Sequence, residues 1–127
     1  NVPPQTITYV SAHGTGTPIG DVAEIESLRR VFGERTGERA TTAIGSIKSM
    51  IGHTMGAAGA IEAIMTIMSV RDNRVHPTIN QETPDPACDL DYVPNESRQV
   101  EINVALKNSF GLGGQNAALI FGKWVGE

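Results

Sequence analysis

Most of the glycines in this chain stand in three short stretches, each directly behind a run of β-forming residues. Fourteen glycines in 127 residues exceed the usual usage and show no collagen-like period, so the backbone must turn tightly or approach something closely at several places. Thr6 to Ala12 alternates and is rich in β-formers, which predicts a strand ending at His13, followed by a loop over Gly14 to Gly20. Asp21 then reads as the N-cap of a helix with Glu24 at the third position. Val22, Ile25, Leu28 and Phe32 fall on one face of it before Gly33 stops it. A polar turn over Glu34 to Thr42 leads to a short buried strand, Ala43 to Ile47, and to a second glycine loop, Lys48 to Gly56.

From Met55 to Val70 apolar residues recur at helical spacing, with Ile61, Ile64, Met65 and Met68 as the inward face. The small residues opening this helix predict close packing and a central, buried position. Val75 to Asn95 holds four of the seven prolines and reads as an extended connector. Val100 to Ser109 alternates Ile102, Val104 and Leu106 as a strand, and Asn116 to Phe121 is its antiparallel partner across the third glycine loop, Phe110 to Gln115. The resulting order, β-α-β-α-β-β, is that of a layered α/β fold whose sheet is mostly parallel with an antiparallel edge. Each glycine loop then sits at the carboxyl end of a strand, where open α/β sheets bind ligands.

Composition narrows the function. Ten Lys and Arg against fourteen Asp and Glu give a formal charge of −4, which removes any case for nucleic-acid binding from bulk charge. One cysteine, Cys88, makes no internal disulfide, so a cytoplasmic setting is the default expectation. No stretch approaches the roughly 18 apolar residues of a membrane span, and Asn1 to Pro4 has neither the basic start nor the apolar run of a signal peptide. Length alone predicts one domain over residues 1–127, and the absence of a starting Met raises the expectation that the chain is part of something longer.

The loops carry the chemistry. In the first, His13 stands where the strand stops, and reads equally as a backbone-bonded histidine or a functional one. The spacing of Gly14, Gly16 and Gly20 around Pro18 departs from dinucleotide and phosphate loops. In the second, Lys48 and His53 read either as a solvated cation and a capping histidine or as an anion-stabilising pair, since a nearby ammonium keeps an imidazole neutral. Glu62 reads as a counter-ion for Lys48 or as an ordinary exposed glutamate. In the third, Gly111, Gly113 and Gly114 allow backbone N–H groups to converge as in an oxyanion hole, or form a plain hairpin turn, with Phe110 either core or gate. No metal or cofactor is expected: His13, His53 and His76 lie far apart without ligand spacing. Cys88, between Asp85 and Asp89, is a poor nucleophile, and His76 reads as structural.

Taken together, His13-Gly14-Thr15-Gly16-Thr17, then Ser46-x-Lys48-Ser49-x-x-Gly52-His53-x-x-Gly56-Ala57-Ala58-Gly59, then Asn108-Ser109-Phe110-Gly111-x-Gly113-Gly114-x-Asn116 resemble the three C-terminal motifs of β-ketoacyl synthases, in order. The connector, Thr78 to Asn80 and Pro84 to Pro94, resembles that of the acyl-carrier-protein synthase II branch and related polyketide ketosynthases. The resemblance implies the C-terminal half of a thiolase-like fold, with a cysteine-bearing N-terminal half elsewhere. It implies decarboxylative condensation of a malonyl thioester with a cysteine-bound acyl group. His13 and His53 would be the donors to the thioester oxygen, with Lys48 and Glu62 organising their electrostatics. Thr15 and Thr17 come with the first motif. Phe110 would supply an oxyanion-hole N–H and the acyl gate, beside Gly111.

Leu112 and Gln115 depart from the family's usual Phe and Thr or His. The histidine of the second motif implies the elongating type. Implied partners are an acidic acyl carrier protein, the N-terminal half, and a second subunit in a homo- or heterodimer. Arg29, Arg30, Arg35 and Arg39 form the candidate docking patch. The competing reading is a non-catalytic thiolase-like half, akin to a chain-length factor, that serves dimerisation or carrier docking.

Overall fold

The computed structural model describes residues 1–33 and 42–126. Along the chain it forms β1 (Tyr9–Ser11), α1 (Pro18–Phe32), β2 (Ala43–Gly45), α2 (Lys48–Ile51), α3 (Ala58–Asp72), β3 (Arg74–Val75), β4 (Arg98–Gln99), β5 (Val104–Phe110) and β6 (Asn116–Gly122). The four longer-range strands make one sheet in the order β2-β1-β5-β6. β1 runs parallel to both β2 and β5, while β6 closes the sheet antiparallel to β5, as the alternation on either side of the third loop predicts. The small β3-β4 ladder was not expected; Arg74 pairs with Gln99 and Val75 with Arg98 across it. Most of the 34–42 turn, with Arg35 and Arg39, lies outside the described residues.

Because neighbouring strand residues point to opposite faces, β1 feeds two cores. Val10 joins Ile7, Ala12, Leu28, Phe32 and Ile44 under α1, whereas Tyr9 joins Val70, Val75, Val93, Ile102 and Ala105 under α3. The fold is therefore α1, sheet, α3 in three layers.

Several expectations need correction. α1 starts at Pro18 with Thr17 as N-cap, not at Asp21, because proline's fixed φ and missing N–H suit the first helical turn. Asp21 instead accepts a hydrogen bond from the Gly16 N–H at 3.1 Å. The second loop is not irregular throughout: α2 and a one-turn 3-10 helix at Met55–Ala57 interrupt it.

The largest correction concerns α3. Its buried side is Ala58, Glu62, Thr66, Ser69 and Val70. The expected face is half-buried at Ile61 and Met65, while Ile64 is 58% and Met68 38% exposed. Polar groups face the sheet here because each finds a partner: Thr66 donates to the Glu62 carbonyl, and Glu62 meets two lysines described below. β5 likewise buries Ala105 and Lys107 more deeply than the expected Val104 and Leu106.

Candidate functional site

β1, β2 and β5 are parallel, so all three glycine loops leave the same edge of the sheet, and the described structure brings their side chains together there. The His13 and His53 rings stand edge to face, centroids 5.6 Å apart at 87°, and the Phe110 ring packs on His13 at 5.4 Å. They line a cleft of about 590 Å³, with Thr15 and Thr17 on one wall, Met55 and Gly56 on another, and Gly111 and Leu112 at the third loop. Leu112 is 95% exposed at the loop tip, so its side chain and not Phe110's stands free of the protein's packing at that rim.

The two histidines are held differently: His53 Nδ1 has a backbone partner, whereas His13 Nδ1 is buried without a hydrogen-bond partner among the described residues. The Met55 N–H donates to His53 Nδ1 at 3.2 Å, so a neutral His53 carries its proton on Nε2. Met55 makes this contact from a left-handed conformation, φ 50°, that a side chain rarely adopts. His13 is held below the ordinary imidazole range, first by burial and next by the Lys48 ammonium, against the opposing pull of Glu24 and Glu62. That direction keeps His13 neutral near pH 7.

Beneath the histidines lies a set of four buried ions. Lys48 Nζ donates to the His13 carbonyl at 2.5 Å and pairs with Glu62 Oε1. The expected counter-ion relation of Lys48 and Glu62 is thus present. Two further members were not singled out from sequence. Glu24 is buried, not a capping-box residue, and accepts from the N–H groups of His13 and Gly14 at 2.9 Å each and from Asn108 Nδ2 at 3.3 Å. Lys107 Nζ lies 2.8 Å from Glu62 Oε2, an ion pair by distance outside hydrogen-bond alignment, and contacts Ser109 Oγ. The available signals were a carboxylate on the apolar face of α1, one turn before Leu28, and a lysine inside a strand otherwise built for burial.

In the third loop the N–H groups of Gly111 and Gly114 serve the hairpin itself, Gly114 donating to the Gly111 carbonyl at 3.2 Å. In the β5-β6 ladder Gly111 N–H reaches the Gln115 carbonyl at 2.7 Å, and the alternation of an antiparallel pair then turns the Phe110 N–H away from β6. It points to the side on which β1 has already ended, where the His13 carbonyl is taken by Lys48.

Other expected residues lie apart from this cleft. His76 is buried between Tyr9 OH, 2.9 Å from Nε2, and the Pro77 carbonyl, 3.2 Å from Nδ1. The Pro77 carbonyl can only accept, so Nδ1 carries the proton and Nε2 accepts from Tyr9. Cys88 lines an adjoining cavity of about 280 Å³ on the other side of the first loop, which shares Gly14, Thr15, Asp21 and Glu24 with the cleft, and burial, then Asp85 and Asp21, push its thiol up. Arg29 is ion-paired with Asp89, which leaves Arg30 as the exposed described member of the arginine patch. Among the described residues no group of three or more His, Cys, Asp or Glu could hold a metal ion, and no helix is long and apolar enough to cross a membrane.

A family model described as beta-ketoacyl synthase, C-terminal domain, matches residues 1–82. A 3-oxoacyl-[acyl-carrier-protein] synthase 2 of Staphylococcus aureus (strain COL) is 46% identical over 123 residues, covering 97% of this chain and 29% of that protein. Among solved structures, a beta-ketoacyl synthase from Burkholderia phymatum matches with 44% identity and a TM-score of 0.88, over 97% of this chain and 29% of that one. A type II polyketide acyl-carrier protein in complex with its ketosynthase, AntDE:AntF, matches with 42% identity and a TM-score of 0.85, over 92% of this chain and 28% of that one. The chain spans under a third of the length of the relatives it matches.

Proposed function

The chain belongs to the beta-ketoacyl synthase family, whose C-terminal domain it is and whose thiolase-like α/β fold it shares, and from that premise we propose that it forms the decarboxylating half of a condensing enzyme. The observation that carries this reading is the pairing of two imidazoles over one cleft, with His13 held below the ordinary imidazole range and the Met55 N–H on His53 Nδ1 leaving Nε2 to face a ligand. The substrate is a malonyl thioester on an acyl carrier protein, a partner class supported by the ketosynthase and carrier-protein complex that this chain resembles.

Loss of carbon dioxide leaves the C–C bonding pair on the thioester as an enolate, with negative charge on oxygen. His13 and His53 donate hydrogen bonds to that oxygen, each contributing on the order of 3 kcal/mol in a site that excludes water. The enolate carbon then attacks the carbonyl of an acyl group carried on a cysteine. Its new oxyanion is held by backbone N–H groups, Phe110's among them, and collapses with departure of the thiolate. The cysteine belongs to an N-terminal half that this domain completes; Cys88, with its raised thiol and its place in another cavity, does not serve. Lys48, bridging Glu62 and the His13 carbonyl, fixes the imidazole in place and does not touch substrate. Thr15, Thr17 and Gly111 shape the walls of the cleft.

The test is decarboxylation of malonyl-carrier by a full-length synthase carrying this domain. His13→Ala and His53→Ala should each lower the rate by about 10²-fold or more. A double variant that decarboxylates at the parental rate overturns the reading. Loss of carrier binding on Arg30→Ala with the histidine variants silent would favour a docking module instead.

A further inference from the structure

The four buried ions under the cleft balance: Lys48 and Lys107 against Glu24 and Glu62, with exposures of 8%, 2%, 5% and 2%. An uncompensated ion buried this deeply is costly, and His13 is a titratable group that feels both carboxylates. Lys107 enters from β5, where it pairs in register with Ser11 of β1, and holds Glu62 Oε2 while Lys48 holds Oε1. Without it the set would be Lys48 against two carboxylates, one net negative charge beneath His13.

Building on the function proposed above, we propose that Lys107 is a positioning residue that acts through Glu62: its ammonium balances the buried carboxylates, so that His13 remains a neutral hydrogen-bond donor, and it fixes Glu62 as the seat for Lys48. The charge state matters for the chemistry. A neutral imidazole stabilises the enolate oxygen and keeps its proton, whereas an imidazolium can deliver the proton and quench the carbon nucleophile before condensation.

The charged and titratable groups acting on His13 are Glu24 from α1, Lys48 from α2, Glu62 from α3 and His53 across the cleft, and Lys107 from β5 reaches it through Glu62. Asp21, at the rim, is bonded to the Gly16 N–H. Glu24 and Glu62 pull His13 toward the charged form and Lys48 opposes them. Removing Lys107 frees Glu62 to pull harder; removing the Glu62 charge does the reverse.

The experiment follows the titration of His13 by NMR in a histidine-labelled full-length synthase carrying this domain, alongside the pH profile of malonyl-carrier decarboxylation. Lys107→Met should raise the pH at which His13 protonates by about half a unit or more, and move the acid limb of kcat/KM with it. Glu62→Gln should shift the titration the opposite way, and the double variant should return it toward the parental position. Parental titration in a folded Lys107→Met protein overturns the proposal. If Lys107→Met does not fold, Glu62→Gln carries the test, and a His13 titrating at or above the parental pH overturns it. A parental enzyme that fails to decarboxylate malonyl-carrier defeats the proposed function alone, since the His13 titration still reports on Lys107.

Discussion

At the scale of single residues the site depends on atoms that must not be larger or differently protonated. Gly14 has φ +41°, and a Cβ there would stand 2.7 Å from the Ser46 Cβ. Ser46 Oγ donates to the Gly14 carbonyl at 2.9 Å, so the first and second loops are in contact at this point. Gly14→Ala should lower the denaturant midpoint of a synthase carrying this domain by the equivalent of about 2 kcal/mol or more, since strained φ and a side-chain clash add. An unchanged midpoint would show that the loops separate freely.

His76 sets a pH dependence of stability. Burial lowers its pKa in the folded state, against the weaker raising effect of the Pro77 carbonyl. The unfolded chain therefore binds the proton first as pH falls below about 6.5, and stability present above that pH is lost through the window down to the folded-state value. Urea midpoints measured from pH 7.5 to 5 should fall in this window, and fall less steeply in His76→Gln, which takes up no proton. Equal slopes in the two proteins would contradict it.

At the scale of elements, α3 departs most from its sequence pattern. Helical periodicity identified the element and came within a few residues of its start and end, but not the side that faces the sheet. The sheet side carries Glu62, Thr66 and Ser69, and the outer side presents Ile64, Ile67 and Met68, 58%, 50% and 38% exposed. Under the proposed function this outer face is covered by the cysteine-bearing half. Replacing Ile64, Ile67 and Met68 together by Ser should then leave the contacts of α3 with β5 intact, yet abolish co-purification of this domain with a separately expressed N-terminal half. Retained co-purification at parental yield would refute that covering. α1 was the easier element: Leu28 and Phe32 are apolar and face the sheet, and Gly33, with φ 61°, ends it where the sequence said it would.

At the scale of the whole molecule, the three-loop edge follows from local signals. β-forming runs of Thr6 to Ala12, Ala43 to Ile47 and Val100 to Ser109, each followed by a glycine-bearing segment, indicate where strands end. The likeness of the three motifs to those of β-ketoacyl synthases then implied roles for His13, Lys48, His53 and Phe110, which their loop positions alone left open. Both kinds of information reside in neighbours along the chain, where side-chain period and backbone sterics act.

Beyond the Lys48–Glu62 pair, only the tertiary structure decided the charge set and the orientation of α3. Glu24 reaches Asn108 across 84 positions of sequence, and Lys107 meets Glu62 from another layer of the fold, distances over which no spacing rule operates. A lone Glu on an apolar helix face or a Lys inside a strand violates the local pattern and becomes intelligible once its partner is in place. Burial of a charge is favourable only in the presence of its opposite. The sequence therefore determined which residues stand at the cleft, and the packing of α1, α3 and β5 determined the electrostatic state in which they stand there.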